Sequence, residues 1–115
     1  EEYRAKVPEN KLYKIWGVVE GKELGEAFIA MMKLISLRQD WIHRWSVDMG
    51  RTEDWKPNWE NTLVDKYCIT NVYNKGVYVD IYGYTVKSLS FPTREIAIDF
   101  MNTFEDLLEI AKPLI

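Results

Sequence analysis

The sequence predicts one α+β domain over residues 1–115, in which a small antiparallel sheet packs with a long helix and a C-terminal helix. Three observations carry this expectation. Leu24, Phe28, Met31, Met32, Ile35, Ile42 and Trp45 recur at spacings of three, four or seven, the period of one helix face. Two β-prone runs, 65–73 and 77–86, flank Asn74-Lys75-Gly76, a turn whose glycine tolerates positive φ. Phe91-Pro92-Thr93 then opens a second apolar stripe.

Taken in chain order, residues 1–11 are polar and contain Pro8, which reads as a flexible arm. Leu12 to Val19 holds Tyr13, Ile15, Trp16, Val18 and Val19 and is β-prone enough for a short strand, which Gly17 and Gly21 limit. The long helix is expected over about 22–45, with Ala27, Leu34, Leu37 and Trp41 as a second apolar row that widens its buried face. Residues 46–61 form a connection punctuated by Gly50 and Pro57 and holding Trp55 and Trp59. The central hairpin spans 65–86. Its second strand alternates Val77, Val79, Ile81 and Thr85 on one face with Tyr78, Asp80, Tyr82 and Tyr84 on the other. Pro92 holds Phe91 extended, Thr93 caps the following amides and Glu95 favours the positive helix end, so the last helix starts there. Ile96, Ala97, Phe100, Phe104, Leu107, Leu108 and Ala111 make its stripe over about 94–111, and Pro113 ends it.

Composition narrows the function classes. Apolar residues at 47% and charged residues at 29% suit a folded domain, and five Trp with seven Tyr must fill much of so small a core. Acids and bases balance up to Pro92, whereas residues 93–115 hold five acids and two bases, so the net charge of −3 belongs to the last helix. No basic stripe of the kind that neutralises phosphates stands out in the linear sequence. A lone Cys68 in a strand-like run reads as a small buried hydrophobe in a reducing compartment. No apolar run of membrane-spanning length and no leader pattern is present, so a soluble protein without membrane association is expected.

The chemistry-bearing residues are sparse. His43 has no second His or Cys at metal-ligand spacing, Cys68 has no neighbouring base, and no phosphate loop or nucleophile motif occurs. The expectation is therefore a protein with no catalytic residue, no metal and no cofactor. Trp55, Trp59 and Tyr67, with Trp41 and Trp45, either form a stacking platform or pin the loop over the hairpin. Tyr78, Tyr82 and Tyr84 form the preferred candidate surface for a protein partner or a second copy, since tyrosine combines apolar area with a hydroxyl at small entropic cost. The same row is instead core if the long helix or the first strand covers it. The runner-up is single-stranded nucleic-acid binding by Tyr78, Tyr82 and Tyr84 with Lys66, Lys75 and Lys87.

One wider pattern joins these parts. Trp55, Pro57, Asn58 and Trp59, then Lys66-Tyr67-Cys68-Ile69, then Phe91-Pro92-Thr93-Arg94-Glu95-Ile96-Ala97 follow in an order that resembles small proteins carried by tailed phages, prophages and mobile elements of Firmicutes and Bacteroidetes. Asn58 stands where those proteins more often have Asp. The resemblance implies a shared fold and an accessory role, in the cytoplasm of an infected cell or within a virion. It brings no catalytic residues with it.

Overall fold

Helix α1 runs from Gly21 to Asp48, 28 residues or about 42 Å at 1.5 Å per residue. The structure, a computed structural model, describes residues 21–72, 76–83 and 86–115. The arm, the first strand and the turn residues Asn74 and Lys75 therefore lie outside the described residues. Leu24, Ala27, Ala30, Leu34 and Ile42 are the buried side of α1. Phe28, Met32 and Ile35, expected in the core, instead face outward. Two apolar rows compete for the interior of this helix. The row that wins carries Ala27 and Ala30, whose small side chains permit close helix packing. The helix outlasts its expected end at residue 45 because buried Ser46 continues the inner face and Gly50, at φ 74°, supplies the left-handed stop.

Strand β1 (Lys66–Val72) pairs antiparallel with β2 (Gly76–Tyr82), from Lys66 opposite Tyr82 to Val72 opposite Gly76. Gly76 takes the expected positive φ of 74°. A two-residue strand, β3 (Ser90–Phe91), completes the sheet in the order β2-β1-β3, with Tyr67 opposite Phe91. The sequence shows Phe91 to be extended but not paired. β2 ends at Tyr82, four residues before the expected limit, where Gly83 passes so close to Thr62 that an added Cβ would lie 2.5 Å from its carbonyl oxygen.

The C-terminal segment is two helices, α2 (Arg94–Thr103) and α3 (Glu105–Ala111), followed by a 3₁₀ turn at Lys112–Leu114 that contains Pro113. Thr93 begins α2 as expected, its Oγ1 accepting from the Ile96 amide at 3.2 Å. The break comes at Phe104, with φ −113° and ψ 34°, where Thr103 Oγ1 donates to the Asp99 carbonyl at 2.7 Å. Such back-bonding hydroxyls bend helices. The bend turns Phe104 into a cluster with Trp41 and Phe100, at ring separations of 5.1 Å and 4.8 Å. Phe100 lies at its centre, 5.7 Å from Trp41 and 5.0 Å from Phe91.

The α+β architecture is therefore the expected one: α1 packs along α3 and the 3₁₀ turn, while α2 lies against the sheet. Ile69, Phe91, Leu34, Ile42, Phe100 and Leu108 fill the space between. No helix among the described residues is long and apolar enough to cross a membrane.

Candidate functional site

Antiparallel pairing fixes which residues share the tyrosine face. Tyr78, Asp80 and Tyr82 lie opposite Thr70, Cys68 and Lys66. The three β1 residues are buried, and Tyr78 and Tyr82 are half-buried. Tyr78 donates its hydroxyl to Asp80 Oδ2 at 3.2 Å, and burial followed by the Asp80 charge raises its pKa. The Lys87 ammonium lies 4.9 Å from the centre of the Tyr82 ring. Tyr84 and Lys75 fall outside the described residues. Lys66 is already engaged: its Nζ donates to the carbonyls of Asn61 at 2.7 Å and Gly83 at 3.0 Å, and sits over Trp59. At the sheet edge, Asp80 Oδ1 accepts from the Ile81 amide at 2.8 Å, and its charge opposes pairing with another strand.

The tryptophans do not converge on one platform. Trp41 joins the phenylalanine cluster, Trp55 packs on the core, and the Arg94 guanidinium lies 5.4 Å over Tyr67. The loop between them is held by several local bonds. Ser46 Oγ accepts from the Trp55 amide at 2.9 Å, and Asn58 Oδ1 accepts from Glu60 and Asn61 at 3.1 and 3.3 Å. An amide oxygen serves here as well as a carboxylate would. His43 Nδ1 meets Asp54 Oδ1 at 2.8 Å on the exposed side of the same loop. Trp55 and Trp59 also line a groove of about 670 Å³ with Arg38, Lys56, Lys87 and Ser90.

Cys68 is fully buried, and its Sγ donates to the Lys66 carbonyl at 3.6 Å. Burial chiefly, with Asp80 adding to it and Lys87, Arg38 and Lys66 opposing, pushes the thiol from 9.0 up to about 11. At pH 8 this leaves about 100-fold less thiolate than an ordinary cysteine has. Native protein is therefore expected to react with a disulfide reagent at least that much more slowly than denatured protein. Labelling at equal rates would contradict the buried placement. The linked effect on stability has a definite sign. The folded pKa exceeds the unfolded one, so the thiol's contribution is complete below pH 9 and is lost between pH 9 and 11.

The outer face of α1 was not legible as a surface, because its residues share the helix period with the core. Ile29, Met32 and Ile35 are 57%, 70% and 40% exposed, and Phe28 lies half-exposed beside them. Contiguous apolar side chains facing solvent on one helix make a candidate interaction surface. Gly25 and Ser36 extend the row at each end, giving 25, 29, 32 and 36 at spacings of four, three and four. Among the described residues, no group of three or more His, Cys, Asp or Glu side chains is placed to hold a metal ion. Comparison with known protein families, characterised proteins and solved structures finds no match to this chain.

Proposed function

We propose that this is a non-enzymatic accessory protein that works by self-association, and that the outer face of α1 is the contact. The exposed row of Ile29, Met32 and Ile35 carries this reading. The row is self-complementary when two copies of α1 run antiparallel about a two-fold axis level with the Ala30–Met31 bond. Ile29 is then level with Met32 of the partner subunit, and Gly25 with Ser36 of the partner subunit. Glu26 and Lys33 share one flank of the row and Phe28 and Ile35 the other. An antiparallel pair sets like flank against like flank. Each Glu26 thereby comes within about 3 Å, along the axis, of the level of Lys33 of the partner subunit, and Phe28 does the same with Ile35 of the partner subunit. A parallel pair lacks this charge match. The buried, weakly acidic thiol of Cys68 and the engagement of His43 with Asp54 support the non-enzymatic part of the reading. An accessory role in a phage or mobile element is the setting that the sequence resemblance suggests.

A single helix-on-helix contact is smaller than a standard interface, so a dissociation constant on the order of micromolar is expected. Sedimentation equilibrium should show mass rising with concentration from 13.6 kDa toward twice that value. Ile29→Asp places an unpaired carboxylate at the contact and should leave a monomer of unchanged thermal stability. Tyr78→Ser with Tyr82→Ser should leave the association intact. Orientation is read by oxidation in a Cys68→Ala background. Gly25→Cys mixed with Ser36→Cys should cross-link, whereas either alone should not, because like residues lie about 16 Å apart along the axis and a disulfide needs Cα atoms within about 7 Å. A monomer at all concentrations sinks the proposal, and cross-linking of Ser36→Cys alone sinks the antiparallel form.

A further inference from the structure

Two cations, Lys66 and Arg38, are buried in this acidic protein with no salt bridge to a carboxylate among the described residues. Lys66 is satisfied by two carbonyls and a ring. Arg38 is not so fully engaged. Its Nε donates to the Ser90 carbonyl at 2.8 Å, its Nη2 reaches Ser90 Oγ at 3.4 Å, and the guanidinium lies 5.9 Å from the centre of the Phe91 ring. Burial pulls its pKa below the ordinary value, and an arginine remains charged even so. A guanidinium has five N–H donors, and these bonds use two. No fully buried polar side-chain atom among the described residues lacks a partner, so Nη1, which takes part in neither bond, is reached by solvent where Arg38 lines the groove.

The rest of the groove has the same sign. Lys56 and Lys87 stand on its walls, and its one carboxylate, Asp54, is bonded to His43. Trp55 and Trp59 supply flat apolar surface, and Pro57 stiffens the loop that carries them. The volume of about 670 Å³ falls within the range that holds a small ligand. A forked guanidinium recognises phosphate oxygens, lysines add point charge, and indole rings stack on bases.

We infer that the groove between α1, the Trp55–Trp59 loop and residues 87–90 binds a phosphate-bearing ligand with a planar base, supplied as a free nucleotide or as a stretch of single strand. Arg38 anchors one phosphate at the floor, Lys56 and Lys87 take the neighbouring negative charge, and the indoles hold the base. This site is separate from the outer face of α1 and stands whether or not the chain self-associates.

Fluorescence anisotropy with a labelled oligothymidylate, and calorimetry with a nucleoside triphosphate, test it on the whole protein at low salt. Saturable binding is expected, with affinity falling with salt at a log–log slope of about −2 for three phosphates on a single strand. Lys56→Glu with Lys87→Glu should weaken it at least tenfold. Lys56 is exposed, whereas Lys87 is half-buried over Tyr82 and Arg38 is buried, so the double lysine variant and Arg38→Met are each read alongside a matched denaturation curve, with Lys56→Glu alone as the variant that leaves packing untouched. Competition by the triphosphate at comparable concentration identifies a nucleotide site, and binding of the oligonucleotide alone identifies a single-strand site. Binding of neither, or binding unchanged in the double lysine variant, overturns the inference. Polyglutamate binding as tightly as the oligonucleotide also overturns it, in favour of an acidic protein segment.

Discussion

Phe100→Ala is expected to cost about 3–5 kcal/mol of folding stability, the range for removing a fully buried phenylalanine. The residue is central to the whole interior. Its ring touches Trp41 from α1, Phe91 from β3 and Phe104 from the bend between α2 and α3. Domains of this size have only about 5–15 kcal/mol in total, so the variant should denature at much lower urea concentration, or fail to fold at physiological temperature. Phe104→Ala, at a half-buried position, should cost clearly less. Urea titration followed by tryptophan fluorescence measures both. A loss below about 1 kcal/mol for Phe100→Ala would mean that the aromatic cluster is not the core.

Gly83→Ala is expected to destabilise by about 1–3 kcal/mol, as overpacking does. The cause is contact and not backbone conformation. A methyl group at Gly83 would sit 2.5 Å from the Thr62 carbonyl oxygen, and backbone must retreat to admit it. The same displacement pulls the Gly83 carbonyl from Lys66 Nζ, whose other bond runs to Asn61 on the loop being pushed away. A buried ammonium thereby loses both of its acceptors. Gly25→Ala supplies the opposite sign, since nothing lies within 4 Å of its added methyl and alanine stabilises a helix interior by about 0.5–1 kcal/mol over glycine. Thermal melts of the two variants at a concentration where the chain is monomeric should move in opposite directions.

These two glycines also show how far the sequence could be read. Gly76 announced its turn, because an Asn-Lys-Gly step between two β-prone runs has one common solution. Gly83 announced nothing, since close approach to Thr62 depends on a chain segment twenty-one residues away. The same division holds for the helices. Thr93 and Pro92 placed the start of α2 correctly through local chemistry, whereas the bend at Phe104 comes from a threonine back-bond and a tertiary aromatic cluster. The most consequential misreading lies on α1. Phe28, Met32 and Ile35 have the period of a buried row and larger side chains than Ala27 and Ala30, so composition favours them for the core. Packing preferred the small row, and the large one was left as a surface.

The candidate sites were legible to a lesser degree. The tyrosine alternation on β2 is present at Tyr78 and Tyr82, but its β1 neighbours are buried and Lys66 is spent on carbonyls. The basic groove could not be found from charge order, because Arg38, Lys56 and Lys87 come from three separate segments, each with acids close by in the sequence, of which Asp54 also lines the groove.

The contact of α1 with α3 has a consequence for how the chain is made. About sixty residues separate the end of α1 from α3, so at roughly 5–20 residues per second the helix leaves the ribosome several seconds before its cover is synthesised. For that interval it is apolar on both sides, with Leu24 and Leu34 on one and Ile29 and Met32 on the other. Neighbouring nascent chains on one polysome then hold matching outer rows at high local concentration. On the self-association proposed above, pairing at that stage would shield one side of each helix while the other waits for α3, so two copies would meet during translation and not after release.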